Sequence, residues 1–129
     1  MWKVLVVDDN KNNCDLLVST LDGLAACDVC QNGEDALSAY KKSVDEKSPY
    51  QAILLDVAMP GIDGIDVLKS IRNKEEERGV SEGKGVPIFM VTAHKEHFMD
   101  AFNIGCTEYI LKPIEPDKVI FKLKEKLGE

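Results

Sequence analysis

Short, unbroken apolar runs alternate along this chain with stretches whose apolar residues recur at helical spacing, and the runs stop abruptly at charged residues. Lys3-Val4-Leu5-Val6-Val7 stops at Asp8-Asp9, and Ala52-Ile53-Leu54-Leu55 stops at Asp56. Residues 87–91 and 107–111 read as further strands, ending at Thr92 and Lys112. A continuous apolar run, unlike an alternating one, marks a strand buried on both faces, as in a parallel sheet. Strict strand–helix alternation predicts an α/β protein with helices on both faces of the sheet and right-handed crossovers.

Between the runs, Cys14, Leu17, Leu21 and Leu24 form one helical stripe over residues 10–23, with Asn10 suited to cap its start. Residues 25–30 read as a second strand. Gly33-Glu34-Asp35 opens a helix that faces inward through Ala36, Leu37, Tyr40 and Val44, and its acidic first turn matches the helix dipole. Residues 51–55 are the third strand. Pro60 and Gly61 make residues 56–61 a loop, and Asp63 caps a helix carrying Val67, Leu68 and Ile71. Residues 74–85 read as a frayed helix end followed by a mobile, solvated loop. A fourth helix over residues 95–103 stops at Gly105, and Val119, Ile120, Leu123 and Leu127 stripe a last one.

The chain has 129 residues, enough for one domain with a real core, and 44% hydrophobic with 30% charged residues describes a globular fold. A net charge of -7 argues against a nucleic-acid-binding surface. No apolar stretch approaches the roughly 20 residues of a membrane span. The amino terminus enters a strand at once, leaving no room for a signal peptide, so a cytoplasmic location is expected. Cys27-Asp28-Val29-Cys30 has C-x-x-C spacing, but on a strand its two sulfurs face opposite sides, and no second pair completes a metal site. All four cysteines are assigned to packing.

In an open parallel sheet, ligands bind outside the carboxyl ends of the strands, where Asp8, Asp9, Asp56, Thr92 and Lys112 would meet. Carboxylates gathered there repel one another unless a cation joins them, which calls for a hard divalent ion. A carboxylate can also attack phosphorus and carry the group as an acyl phosphate, while a hydroxyl and an ammonium hold the remaining oxygens.

Val6-Val7-Asp8-Asp9-Asn10, the run from Leu54 through Asp56, Ala58 and Pro60 to Gly64, Val91-Thr92-Ala93 and Tyr109-Ile110-Leu111-Lys112-Pro113 stand in order at the strand ends. In these pieces the sequence resembles the receiver domain of bacterial-type response regulators over essentially its whole length. The resemblance implies a flavodoxin-like (βα)5 fold with sheet order 2-1-3-4-5, forming one receiver domain over residues 1–129 with no separate output domain. It casts Asp56 as the residue phosphorylated by a sensor histidine kinase or phosphotransfer protein. It implies Mg²⁺ held by Asp9 and Asp56, by Asp8 through water, and by the backbone carbonyl of Ala58. Thr92 and Lys112 would contact the phosphoryl group, and Lys112-Pro113 would be cis. On phosphorylation Thr92 would move and Tyr109 turn inward, changing the surface of helix four, strand five and helix five for a downstream protein target.

The same resemblance makes the chain a signalling phosphoacceptor that catalyses only its own phosphorylation and dephosphorylation, with no direct nucleic-acid or membrane contact. A phosphorylation-dependent homodimer stays open. Ala58 lacks the polar side chain often found two residues after the phosphoacceptor, and His94 fills the other position that tunes phosphate loss. Among other classes, a phosphohydrolase of the haloacid dehalogenase type would want an aspartate where Ala58 stands. A nucleotide- or flavin-binding domain would want glycines in place of Asp8-Asp9-Asn10-Lys11. A degenerate receiver serving only as an interaction module would not need the intact acidic set. His94 and His97 are expected on a solvated face.

Overall fold

The computed structural model describes residues 1–128. Its elements follow in the order β1 (Trp2–Val7), α1 (Lys11–Thr20), β2 (Ala25–Cys30), α2 (Gly33–Asp45), β3 (Ala52–Leu55) and α3 (Gly64–Glu77). Then come β4 (Ile88–Thr92), a 3₁₀ turn (Lys95–His97), α4 (Phe98–Ile104), β5 (Glu108–Leu111) and α5 (Pro116–Leu127). The five strands form one parallel sheet in the order β2-β1-β3-β4-β5. This is the flavodoxin-like order that the family resemblance implied.

Alternation along the strands divides the core into two layers. Leu5, Val7, Ile53, Leu55, Ile88 and Met90 point to the face covered by α2, α3 and α4, where Ala36, Tyr40, Leu68, Ile71 and Ala101 meet them. Val4, Val6, Leu54, Phe89 and Val91 point to the other face, where Cys14 and Leu17 of α1 and Val119 and Leu123 of α5 cover them. The three central strands are sandwiched, which is why they are apolar on both sides. The edge strand β2 alternates between partly buried and exposed. Cys27 packs against one layer and Cys30 against the other, and all four cysteines are free.

Local chemistry sets the helix ends. Asn10 and Asn32 cap α1 and α2 by accepting from the backbone of Asn13 and Asp35. Asp63 caps α3 in a reciprocal capping box with Asp66, as its position predicted. The first helix is shorter than expected: Leu21 closes it, and Gly23, at φ 79°, turns the chain into β2. The fourth helix also differs. Its expected start at Lys95 is a 3₁₀ turn, because His94 and His97 make no side-chain cap for the first amides. Gly105 ends α4 in the left-handed conformation, as glycine permits.

Most of residues 74–85 are exposed, as the solvated reading expects, and Glu75 is the exception. Helix α3 continues regularly to Glu77, and Glu75 is only 5% exposed. Its carboxylate accepts from the Arg72 guanidinium at 2.7 Å and from the Val86 amide at 2.7 Å. Arg72 further donates to the carbonyls of Gly105 at 2.9 Å and Val86 at 2.8 Å. One ion pair therefore ties α3 to the segments that enter β4 and β5.

Candidate functional site

The hydrogen-bond ladder of the sheet runs past the formal strand ends and fixes the site residues in place. The Asp8 amide donates to the Cys30 carbonyl, the Asp56 amide to Val7, and the Lys112 amide to Thr92. Backbone held this way leaves little freedom for the side chains it carries. Asp8, Asp56 and Thr92 are buried, with exposures of 2%, 5% and 0%, whereas Asp9 is exposed at the rim. One carboxylate oxygen from each of Asp8, Asp9 and Asp56 lies within 4.8 Å of the others.

Lys112 spans this cluster. Its ammonium donates to Asp8 at 2.8 Å and to Asp56 at 3.0 Å. Burial pushes the Asp8 carboxyl above its ordinary range, against the pull of Lys112 and the Asn10 amide. Burial alone would lower the Lys112 ammonium, yet the bonds to Asp8 and Asp56 carry it above the usual lysine value. One ammonium thus compensates three carboxylates, and the pocket retains an excess of negative charge. Asp56 Oδ1 is buried without a hydrogen-bond partner among the described residues. A buried carboxylate oxygen left over in an acidic, oxygen-only donor set fits a hard cation such as Mg²⁺.

The loop after β3 frames the opening. Gly64, the first residue of α3, donates its amide to Val57 at 2.8 Å and packs directly on the Asp56 carbonyl. A Cβ there would lie 2.0 Å from that oxygen, so only glycine lets α3 approach so closely. Ala58 is exposed on the same loop. Across the opening, Thr92 Oγ1 accepts from the His94 amide at 3.2 Å. His94 and His97 are partly exposed, the His94 side chain at 45%, and with Asp9, Met59 and Asp63 they line a concavity of about 450 Å³. His94 Nδ1 lies 3.1 Å from Glu96. Tyr109 is half-buried, donates its hydroxyl to the His94 carbonyl and stacks edge-on against Phe98 at 5.5 Å. The Lys112-Pro113 bond is cis.

All the expected site residues therefore converge on one sheet edge. Sequence reading gave no role to Gly64, Met59 or His97. Gly64 could have been found from its place one residue after the Asp63 cap, where α3 must pass the strand end.

The family model for the response regulator receiver domain matches residues 4–124. The chain belongs to that family. Among curated relatives, this receiver domain is 37% identical to the transcriptional regulatory protein ResD of Bacillus subtilis, over 97% of the chain but 48% of ResD. It is 31% identical to chemotaxis protein CheY1 of Helicobacter pylori, covering 98% of the chain and 97% of CheY1. Among solved structures, the response regulator protein TrrA of Thermotoga maritima, in complex with Mg²⁺-BeF, superposes with a TM-score of 0.78 at 30% identity, covering 97% of this chain and 98% of TrrA. The receiver domain spans less than half the length of several of the curated relatives it matches. It is a receiver domain of two-component signalling, a family that binds Mg²⁺ at a cluster of aspartates. Among the described residues, no helix is long and apolar enough to cross a membrane.

Proposed function

We propose that Asp56 is the phosphoacceptor, taking a phosphoryl group from the phosphohistidine of a sensor histidine kinase or phosphotransfer protein. The observation that carries this reading is the Lys112 ammonium shared between Asp8 and Asp56 beside an unpartnered Asp56 oxygen. In the step, an Asp56 carboxylate oxygen forms a bond to phosphorus while the bond from phosphorus to the donor nitrogen breaks, and that nitrogen keeps the electron pair. Lys112 turns from the Asp56 carboxylate to the incoming phosphoryl oxygens, and the Thr92 hydroxyl donates to another. Asp8, Asp9, Asp56 and the Ala58 carbonyl would hold Mg²⁺, which supplies positive charge that the pocket's own side chains lack.

The new group adds about -1.5 to -2 units of charge and draws Thr92 toward it. Thr92 carries the His94 amide, and the His94 carbonyl holds Tyr109, so movement at β4 is felt at β5 and α4. Phe98, Met99 and Phe102 of α4, Leu111 of β5 and Phe121 of α5 are exposed, an apolar face suited to a downstream protein target. Ala58 offers no side chain to orient an attacking water, so phosphate loss is slow unless His94 assists. Replacing Ala58 with Asn is expected to speed phosphate loss, and His94→Ala to slow it; unchanged half-lives in both would remove this role.

Incubation with acetyl phosphate and Mg²⁺ tests the central assignment. The intact mass is expected to rise by one phosphoryl group, and the gain should vanish in Asp56→Asn or without the metal. An undiminished gain in Asp56→Asn would refute the assignment.

A further inference from the structure

Gly33 is the first residue of α2, and its backbone is not left-handed, unlike that of Gly23, Gly61 or Gly105. By propensity alone, alanine would serve a helix better at this position. What glycine supplies here is the missing Cβ. A Cβ on Gly33 would lie 2.5 Å from Ile62 Cγ1 and 2.9 Å from the Ile62 carbonyl oxygen. The second of these contacts is with backbone, which no change of rotamer relieves. Gly33 is buried beneath Ile62 as a result.

Ile62 belongs to the loop that leaves Asp56. The bond from the Gly64 amide to the Val57 carbonyl closes that loop at its base. Ala58, Pro60 and Gly61 are exposed along it, while Met59 and Ile62 turn inward onto the core. Next to Ile62, Gly61 stands at φ 79°, and a Cβ there would lie 3.2 Å from the Glu34 carboxylate. Two consecutive loop residues therefore rest on the first turn of α2, against Gly33 and Glu34. A short loop closed at its base and seated on a helix has few independent ways to move. Lifting Ile62 off α2 is accordingly felt at Ala58.

We propose that Gly33 is a positioning residue for Mg²⁺: by letting Ile62 settle on α2, it sets the loop whose Ala58 carbonyl would serve the metal. The inference rests on the reading of Asp8, Asp9, Asp56 and Ala58 as the Mg²⁺ site. It adds α2 to the elements that build that site.

Calorimetric titration with Mg²⁺ tests this. Gly33→Ala is expected to bind about tenfold more weakly than the parent, the lower end of losses seen when groups behind metal ligands are altered. Ile62→Ala loosens the same seat and should also weaken binding. The double variant should lose less than the two single losses combined, because both act through one contact. Glu75→Ala disturbs the far end of α3 and should bind as the parent does, which separates positioning from lost stability. Parent affinity in Gly33→Ala would overturn the proposal, as would parent affinity in Ile62→Ala should Gly33→Ala not fold. Additive losses in the double variant, or an equal loss in Glu75→Ala, would overturn it too. A parent that binds no Mg²⁺ would overturn the site reading itself, whereas a binding parent with unchanged variants removes only the role of Gly33.

Discussion

Lys112 is a single cation shared among carboxylates that burial forces together, and its removal and theirs should have opposite signs. Replacing Lys112 with Met leaves Asp8 and Asp56 buried without a counter-charge, a change that typically costs about 3–5 kcal/mol. Asp56→Asn removes one of the repelling carboxylates and should raise stability instead. Urea unfolding without divalent metal reads both, and a midpoint shift of the same sign in the two variants would contradict the charge balance. The identity of these residues was legible because each stands where an apolar run ends, a pattern the linear sequence displays. Glu75 was not legible in that way, since it sits within a run of five charged residues, Lys74 to Arg78, that looks solvated. The signal was present in the spacing: Val67, Leu68, Ile71 and Glu75 form one helical face, and Arg72 stands three residues before Glu75.

At the scale of elements, α3 is the part that joins the site to the rest of the fold. Its amino end presses Gly64 on the Asp56 carbonyl, and its carboxyl end carries the Arg72–Glu75 pair. Gly64→Ala must push the helix or the strand end aside, at a cost of about 1–3 kcal/mol, and should also slow phosphorylation by acetyl phosphate. Normal phosphorylation kinetics in a destabilised Gly64→Ala protein would show that the contact serves packing alone. Glu75→Ala strips Arg72 and the Val86 amide of their acceptor and should cost about 1–3 kcal/mol by chemical denaturation, without loss of phosphorylation. Element types were predicted by periodicity, and the strand order followed from the family resemblance. The boundaries near α1 and α4 were not, because they depend on a positive-φ turn at Gly23 and on missing side-chain caps at His94 and His97.

Across the whole molecule, the two-layer core sets how stability responds to pH. Burial pushes the Cys30 and Cys106 thiols from 9.0 up to about 11, and the Tyr50 hydroxyl is raised as well, by burial and its bond to Asp28. The folded protein keeps protons that the unfolded chain gives up, so stability is complete below pH 9 and falls as pH rises toward 11. Thermal midpoints that stay level over that window would contradict the burial of these groups. The core also holds the strand ends in register, and through them the one pocket on which signalling chemistry depends. The most direct test is to phosphorylate the protein with acetyl phosphate and Mg²⁺, reduce the acyl phosphate with borohydride, and locate the product by tandem mass spectrometry. The reduced residue should be position 56 alone; reduction at position 8 or 9, or at none, would contradict the account.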